Sequence, residues 1–348
     1  MRHTAAIIGA QGYSGQELAR LLLQHPSLEL AQVYSRDPKW HLSQDVSLAK
    51  AKDVKHSLVH ELDQTLPNVD IIFLATPHDV SLELIPKLYG KIKWIIDLSG
   101  GFRLDEEIFA TWYQQTHTAT EFLTLSQYGL CPWQTETPAA LIANPGCYAT
   151  AVLMALLPLT AMGLIETNHI IVDAKSGASG AGRSAKTELL FCEVANNFYP
   201  YKVGKHQHTP EIQSALKNFT QKNLDILLTT QVLPVPRGIS AALYIPFSQP
   251  AENFIQQVTS AYQKAYNNYA LVRYAHLAEL SAKEQQSFLS LLHVVGSCRT
   301  HIAYQTVGNH LVIFSMLDNL LKGAASQAIE NANRALNLPL TQGLENIM

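Results

Sequence analysis

The first part of the chain repeats one pattern: a short apolar run, a polar turn, then a stretch with leucines at helical spacing. Residues 5–8 (AAII), 30–34 (LAQVY), 69–75 (VDIIFLA), 94–99 (WIIDLS) and 141–143 (LIA) read as buried strands. Residues 17–23 (ELARLLL) and 81–88 (SLELIPKL) read as helices between them. Such βα alternation predicts an α/β fold with a doubly wound parallel sheet. Residues 148–159 are apolar on every side, which predicts a helix buried all round. Beyond them the pattern becomes rich in strands, at 169–174, 231–236, 239–246 and 311–317. An amphipathic helix is expected over 254–266, a solvated helix face over 283–286, and a last helix from 317 to about 336. The last helix is rich in alanine and is expected to return to the first sheet. The shift predicts one domain of residues 1–146 completed by 319–348, and a second α+β domain of 147–318.

The first turn carries Gly9, Gly12, Tyr13, Ser14 and Gly15 between a strand and a helix. In that context glycines let backbone N–H groups reach a pyrophosphate on the helix N-terminus, so the sheet reads as Rossmann-type. The spacing is G-x-x-G-x-x-G, and a tight βα turn without ligand is the plain alternative. The second strand ends in Ser35 and Arg36, where an NAD enzyme usually has an acid for the ribose 2′-hydroxyl. A hydroxyl and a guanidinium suit a 2′-phosphate, which favours NADP(H). Asp37 next door keeps NAD open, and an ordinary exposed arginine is the plain reading.

At residues 143–150 (ANPGCYAT) a Pro-Gly turn delivers Cys147 to the start of the buried helix. Unpaired N–H groups and the helix dipole there favour a thiolate and raise its reactivity. A small buried cysteine beside a turn is the alternative. A glycine-serine loop with Lys175 and Arg183 follows the next strand, and His206-Gln207-His208 precedes a helix start at Thr209-Pro210. If that segment is extended, both imidazoles share one face. The pair suggests a metal, but no third ligand stands nearby, and no metal site is expected.

The bulk numbers exclude other classes. A formal net charge of -3 over 348 residues gives no basis for nucleic-acid binding. No apolar run is long enough for a bilayer, and residues 1–8 lead straight into a strand without a signal-peptide layout. The four cysteines, Cys131, Cys147, Cys192 and Cys298, are scattered, which fits a reducing cytoplasm.

Six stretches together carry a resemblance: 9–15 (GAQGYSG), 143–150 (ANPGCYAT), 176–183 (SGASGAGR), 206–212 (HQHTPEI), 237–239 (RGI) and 318–325 (DNLLKGAA). Taken in order over nearly the whole chain, they resemble the N-acetyl-γ-glutamyl-phosphate reductases, NADP-dependent enzymes of arginine biosynthesis in the aspartate-semialdehyde dehydrogenase superfamily. The resemblance implies that Cys147 is the nucleophile and that a histidine of the pair is its acid–base partner, His208 first and His206 second. It implies that residues 9–15 cradle the cofactor and that Ser176, Gly177 and Asn319 lie near the nicotinamide. It implies that Arg103 and Arg183 face the anions of a small acyl phosphate. With His208 as the proton carrier, His206 is left as a substrate donor. A homodimer or homotetramer through the second domain's sheet is also implied. Two departures stand out: Gly100-Gly101 replaces the family's Ala-Asp before Phe102-Arg103, and Pro200 replaces an alanine. Three other readings compete. A sister reductase of another acyl phosphate would share fold, thiol and cofactor. A non-catalytic NADP sensor would not need Cys147, and a Cys-His hydrolase would not need the glycine loop.

Overall fold

A computed structural model describes residues 2–165, 169–248 and 251–348, so Met1 lies outside the described residues. The chain divides into two compact units, Met1–Gly146 with Ala324–Ile347, and Cys147–Gly323 with Met348.

In the first unit seven strands pair: β1 (His3–Ile8), β2 (Leu28–Ser35), β3 (Lys55–Leu58), β4 (Ile71–Leu74), β5 (Trp94–Asp97), β6 (Ser126–Tyr128) and β7 (Leu141–Ala143). Their order is β3-β2-β1-β4-β5-β7-β6, and each neighbouring pair is parallel. The order reverses between β1 and β4, the switch point where doubly wound sheets bind ligands beyond the strand ends. The glycine loop follows β1 there. Two of its glycines are needed for packing. A Cβ on Gly9, which has φ +89°, would lie 2.4 Å from the Ala75 carbonyl oxygen, and one on Gly15 would lie 2.4 Å from the Gly9 carbonyl oxygen. Gly12 has room, with its nearest neighbour 3.5 Å away.

The helix Ser326–Ala335 belongs to this unit and is held by side-chain amides. Asn331 Nδ2 donates to the Gly129 carbonyl at 2.7 Å and to Asn144 Oδ1 at 3.0 Å. His25 Nδ1 accepts the backbone N–H groups of Ser27 and Leu28, so its hydrogen sits on Nε2. From there it is shared by Asn333 Oδ1 at 3.1 Å and the Gln342 carbonyl at 2.9 Å.

The second unit is built on β8 (Ile170–Gly177), β9 (Tyr199–Pro200), β10 (Ile226–Leu233), β11 (Ile239–Pro246), β12 (Val272–His276), β13 (Thr300–Val307) and β14 (His310–Leu317), in the order β12-β13-β14-β11-β8-β10-β9. The sheet is mixed: β8 is parallel to β10 and antiparallel to β11. The helix Cys147–Ala161 is buried along nearly its whole length. Pro158 removes the N–H that the Met154 carbonyl would accept. The Tyr266 hydroxyl replaces it, donating at 2.6 Å.

Three expected boundaries change. The strand expected at 231–236 is β10, shifted towards the N-terminus, because Pro234 and Pro236 lack the N–H groups a central strand needs. The last helix does not start at 317. Asp318 accepts the N–H groups of Leu320 and Leu321, a π-type turn follows at Leu321–Ala325, and the α-helix begins at Ser326. The chain accordingly rejoins the first unit at Ala324 rather than at 319, because Asp318 and Asn319 are bonded to loops of the second unit.

Candidate active site

Cys147 is the first residue of its helix and is partly buried. The turn before it leaves the thiol at the dipole's positive end. Gly323 packs directly on it, since a Cβ there would lie 2.7 Å from Cys147 Cβ. This explains a glycine inside an otherwise helical alanine-rich stretch. Cys131 and Cys298 are buried and Cys192 is exposed.

The segment 206–208 is not extended. Gln207 has right-handed helical dihedrals and the helix His208–Thr220 starts one residue earlier than expected. Pro210 falls in the first helical turn, where its missing N–H costs nothing. The imidazoles of His206 and His208 are nonetheless neighbours, with centroids 4.8 Å apart. Both meet the buried Tyr148 ring edge-on, at 5.3 Å and 5.9 Å. The backbone N–H of His208 donates to His206 Nδ1 at 3.2 Å, which leaves the His206 hydrogen on Nε2. That nitrogen lies 3.5 Å from the Tyr201 hydroxyl, which donates to the Tyr148 hydroxyl at 3.2 Å. Burial, then the neighbouring His208 and Lys202, push the His206 pKa down to about 2, so His206 is neutral at working pH. Burial raises Tyr148 and Tyr201, which stay as hydroxyls. Glu211, one turn along the helix and buried, has Oε2 3.9 Å from His208 Nε2.

Sequence reasoning passed over Glu211, Tyr148 and Tyr201. The Glu211 signal was the i, i+3 spacing from His208 on a helix. Among the described residues, no group of three His, Cys, Asp or Glu is placed to hold a metal.

The loop after β8 is locked from below. Ser176 is buried and its hydroxyl donates to the Gly177 carbonyl at 3.0 Å. A Cβ on Gly177 would lie 2.6 Å from the Arg237 nitrogen. Asn319 accepts the Gly238 N–H at 2.7 Å and donates to Ser179 Oγ at 3.0 Å. Asp318 is fully buried and accepts from Arg237 Nη2 at 3.1 Å and the Gly296 N–H at 2.8 Å. Asn319 thus organises the loop that bears Ser176 and Gly177. Arg183 is exposed at the far end of that loop.

The remaining candidates lie in the first unit. Gly12 caps the helix Tyr13–Gln24, with Tyr13 exposed and Ser14 partly buried in its first turn. The Gly9 N–H donates to the Tyr34 carbonyl at 3.2 Å, which ties the glycine loop to the end of β2. Ser35 is buried, while Arg36 is exposed with no hydrogen bond or ion pair among the described residues. The close-packed glycine turn at a helix start and the exposed guanidinium fit a dinucleotide. Arg103 donates to the Leu98 carbonyl at 2.7 Å. Beside it Asp97 is fully buried and accepts from Ser81 and Ser99, and burial raises its pKa. A Cβ on Gly100 would lie 1.8 Å from the Tyr113 hydroxyl, so a side chain here requires the Tyr113 ring to move.

Two family models match, the semialdehyde dehydrogenase NAD binding domain over residues 4–141 and the semialdehyde dehydrogenase dimerisation domain over residues 147–319. An N-acetyl-gamma-glutamyl-phosphate reductase of Bacillus cereus is 40% identical over 348 residues, covering 98% of both chains. One of Bacillus thuringiensis subsp. konkukian has the same identity and coverage. The chain belongs to the N-acetyl-γ-glutamyl-phosphate reductase family. Its fold is that of aspartate semialdehyde dehydrogenases. The enzyme II of Vibrio cholerae, solved with ASA, superposes with TM-score 0.67 at 17% identity, covering 97% of this chain and 99% of that one. The Candida albicans enzyme, solved with NADP, gives 0.64 at 14% identity with full coverage of both.

Proposed function

We propose that the chain reduces N-acetyl-γ-glutamyl phosphate to N-acetyl-L-glutamate 5-semialdehyde and phosphate, through a thioester on Cys147. The observation that carries this reading is a thiol at a helix start in the unit that holds the His208–Glu211 pair. Family membership supports the substrate.

Cys147 thiolate attacks the carbonyl carbon of the acyl phosphate, the carbon–oxygen bond to phosphate breaks, and phosphate leaves with its electron pair. Backbone N–H groups after Cys147 stabilise the tetrahedral oxyanion. The NADPH held by the glycine loop and the Ser176–Gly177 loop would, when bound, supply the hydride that reduces the thioester carbonyl carbon. The carbon–sulfur bond then breaks, releasing the aldehyde and regenerating the thiolate. His208 is the proton carrier, and it can take the thiol proton at the start or protonate the oxyanion. Glu211 Oε2 stands 3.9 Å from its Nε2. His206 is a neutral hydrogen-bond donor to substrate. Arg103 and Arg183 grip phosphate and carboxylate, for which the guanidinium fork is suited.

The glycine loop holds the cofactor's pyrophosphate, with Gly9, Gly12, Tyr13, Ser14 and Gly15 around it. Ser176, Gly177 and Asn319 serve the nicotinamide. NADPH is preferred over NADH because Arg36 stands exposed at the end of β2 without an acid to hold a ribose hydroxyl. The enzyme is a homodimer or homotetramer. The exposed residues Ile171, Leu227 and Tyr244 form a row across β8, β10 and β11, an apolar strip on the second unit's sheet that suits a second copy. Four free thiols suit the cytoplasm.

NADPH consumption followed by absorbance with N-acetylglutamyl phosphate and with aspartyl phosphate tests the reading. Faster turnover of the first substrate supports it. Preference for aspartyl phosphate would make the chain a sister reductase.

A further inference from the structure

The end of β2 holds more chemistry than Ser35 and Arg36. The buried Ser35 hydroxyl donates to the Asp37 carbonyl at 2.9 Å, and its oxygen lies 2.8 Å from His56 Nε2. A hydroxyl has one hydrogen, so His56 is the donor in the second bond and carries its own hydrogen on Nε2. His56 Nδ1 has no partner among the described residues, so it can take a proton without breaking the Ser35 bond. The His56 ring is edge-on to Trp40 at 5.8 Å and to the exposed His41 at 5.3 Å. Thus the His56 ring, on β3 beside β2, reaches the last residue of β2 and His41 of the following loop, which also carries the exposed Arg36, at the strand end where a doubly wound sheet places the adenosine ribose.

We propose that His56, with His41, is a proton-linked part of the 2′-phosphate reader, so that binding of NADP(H), but not of NAD(H), takes up a proton at this pair. The proposal rests on the NADP preference argued above and deepens it. A phosphomonoester is largely dianionic at neutral pH, its second pKa being about 6. A dianion beside an imidazole favours the imidazolium. The groups around His56 leave room for that change. Burial and His41 hold its pKa below the usual histidine value, while Asp37 on the same loop and Glu61 on the turn after β3 oppose them. Arg36 and Lys39 are the cationic residues of the loop after β2. His56 is a positioning residue for Ser35 in either state. Only its charge changes on binding. NAD has a 2′-hydroxyl in place of the phosphate and supplies no such charge.

Direct binding tests this. Dissociation constants of NADPH and NADH are measured by fluorescence titration between pH 6.5 and 8.0. Proton uptake is measured by calorimetry in two buffers of different ionisation enthalpy, with adenosine 2′,5′-bisphosphate and AMP as probes. One proton taken up changes affinity by at most about tenfold per pH unit, by linkage. The NADPH-over-NADH preference is expected to rise about threefold to tenfold as pH falls over this range. The bisphosphate should take up more protons than AMP. In His56→Asn, whose amide can still donate to Ser35, the preference should become nearly independent of pH. Equal proton uptake by the two probes in the wild type would overturn the proposal, as would an unchanged pH slope in His56→Asn. If Arg36→Ala still removes the NADPH preference in either of those cases, the NADP reading survives and only the imidazole link falls. If the wild type binds NADH as tightly as NADPH at every pH, both fall.

Discussion

The backbone N–H of His208 points at Nδ1 of His206, 3.2 Å away. One histidine therefore uses its lone pair to fix the start of the helix that carries the other. A protonated His206 could not make that bond, and burial keeps it unprotonated. The proposed mechanism therefore gives proton transfer to His208, whose Nε2 lies 3.9 Å from Glu211 Oε2.

His208→Asn is expected to lower kcat by ~10²–10⁴-fold with a smaller change in KM, the usual value of acid–base help. His206→Asn should mainly raise KM. Steady-state kinetics on the two variants checks this, and the reverse pattern would move the catalytic role to His206.

Gly323→Ala tests the contact behind the nucleophile. A methyl group 2.7 Å from Cys147 Cβ forces the helix start to shift. Overpacking of this kind costs about 1–3 kcal/mol. Urea denaturation should show that loss, and iodoacetamide labelling of Cys147 should slow. An unperturbed labelling rate would mean that the helix start accommodates the methyl.

The pattern along the chain and the fold agree where the signal is local. The βα alternation, the glycine turn and the cysteine at a helix start involve neighbours in sequence. What was hidden depends on distant partners. β13 (THIAYQTV) mixes polar residues into its run, and it takes its place as a strand between β14 and the more distant β12. β3 has four residues and gains its place by lying beside β2. The need for Gly323 comes from Cys147, far away in sequence. Glu211 drew no reading from the sequence, and the helix register is what puts it one turn from His208. The extended reading of 206–208 failed because the backbone was already helical at Gln207.

Acid should destabilise the fold through its histidines. The pKa values of His25, His56, His117, His206 and His301 are all lowered by burial, to about 4 for His301 and about 2 for His206. The unfolded chain then binds more protons below pH ~6.5, the ordinary histidine value. Stability is fully present above that pH and is lost as pH falls towards the folded values. Asp97 acts in the opposite sense, since its raised pKa stabilises at low pH, but five imidazoles oppose one carboxyl. The urea midpoint should fall between pH 7.5 and 5.0. A midpoint that rises over that range would contradict the assignment.

Leu227→Lys places a charge in the apolar row with Ile171 and Tyr244. Light scattering should report a smaller assembly than for the wild type, with the circular dichroism unchanged. An unaltered mass would place the contact between copies elsewhere.

The thioester is the centre of the account, and mass spectrometry reads it directly. Protein mixed with N-acetylglutamyl phosphate in the absence of NADPH should gain one N-acetylglutamyl group. Peptide mapping should find it on Cys147, and added NADPH should discharge it as aldehyde. Cys147→Ala should neither gain the group nor turn over substrate. An adduct on another residue, or reduction by Cys147→Ala at a rate near that of the wild type, would contradict the account.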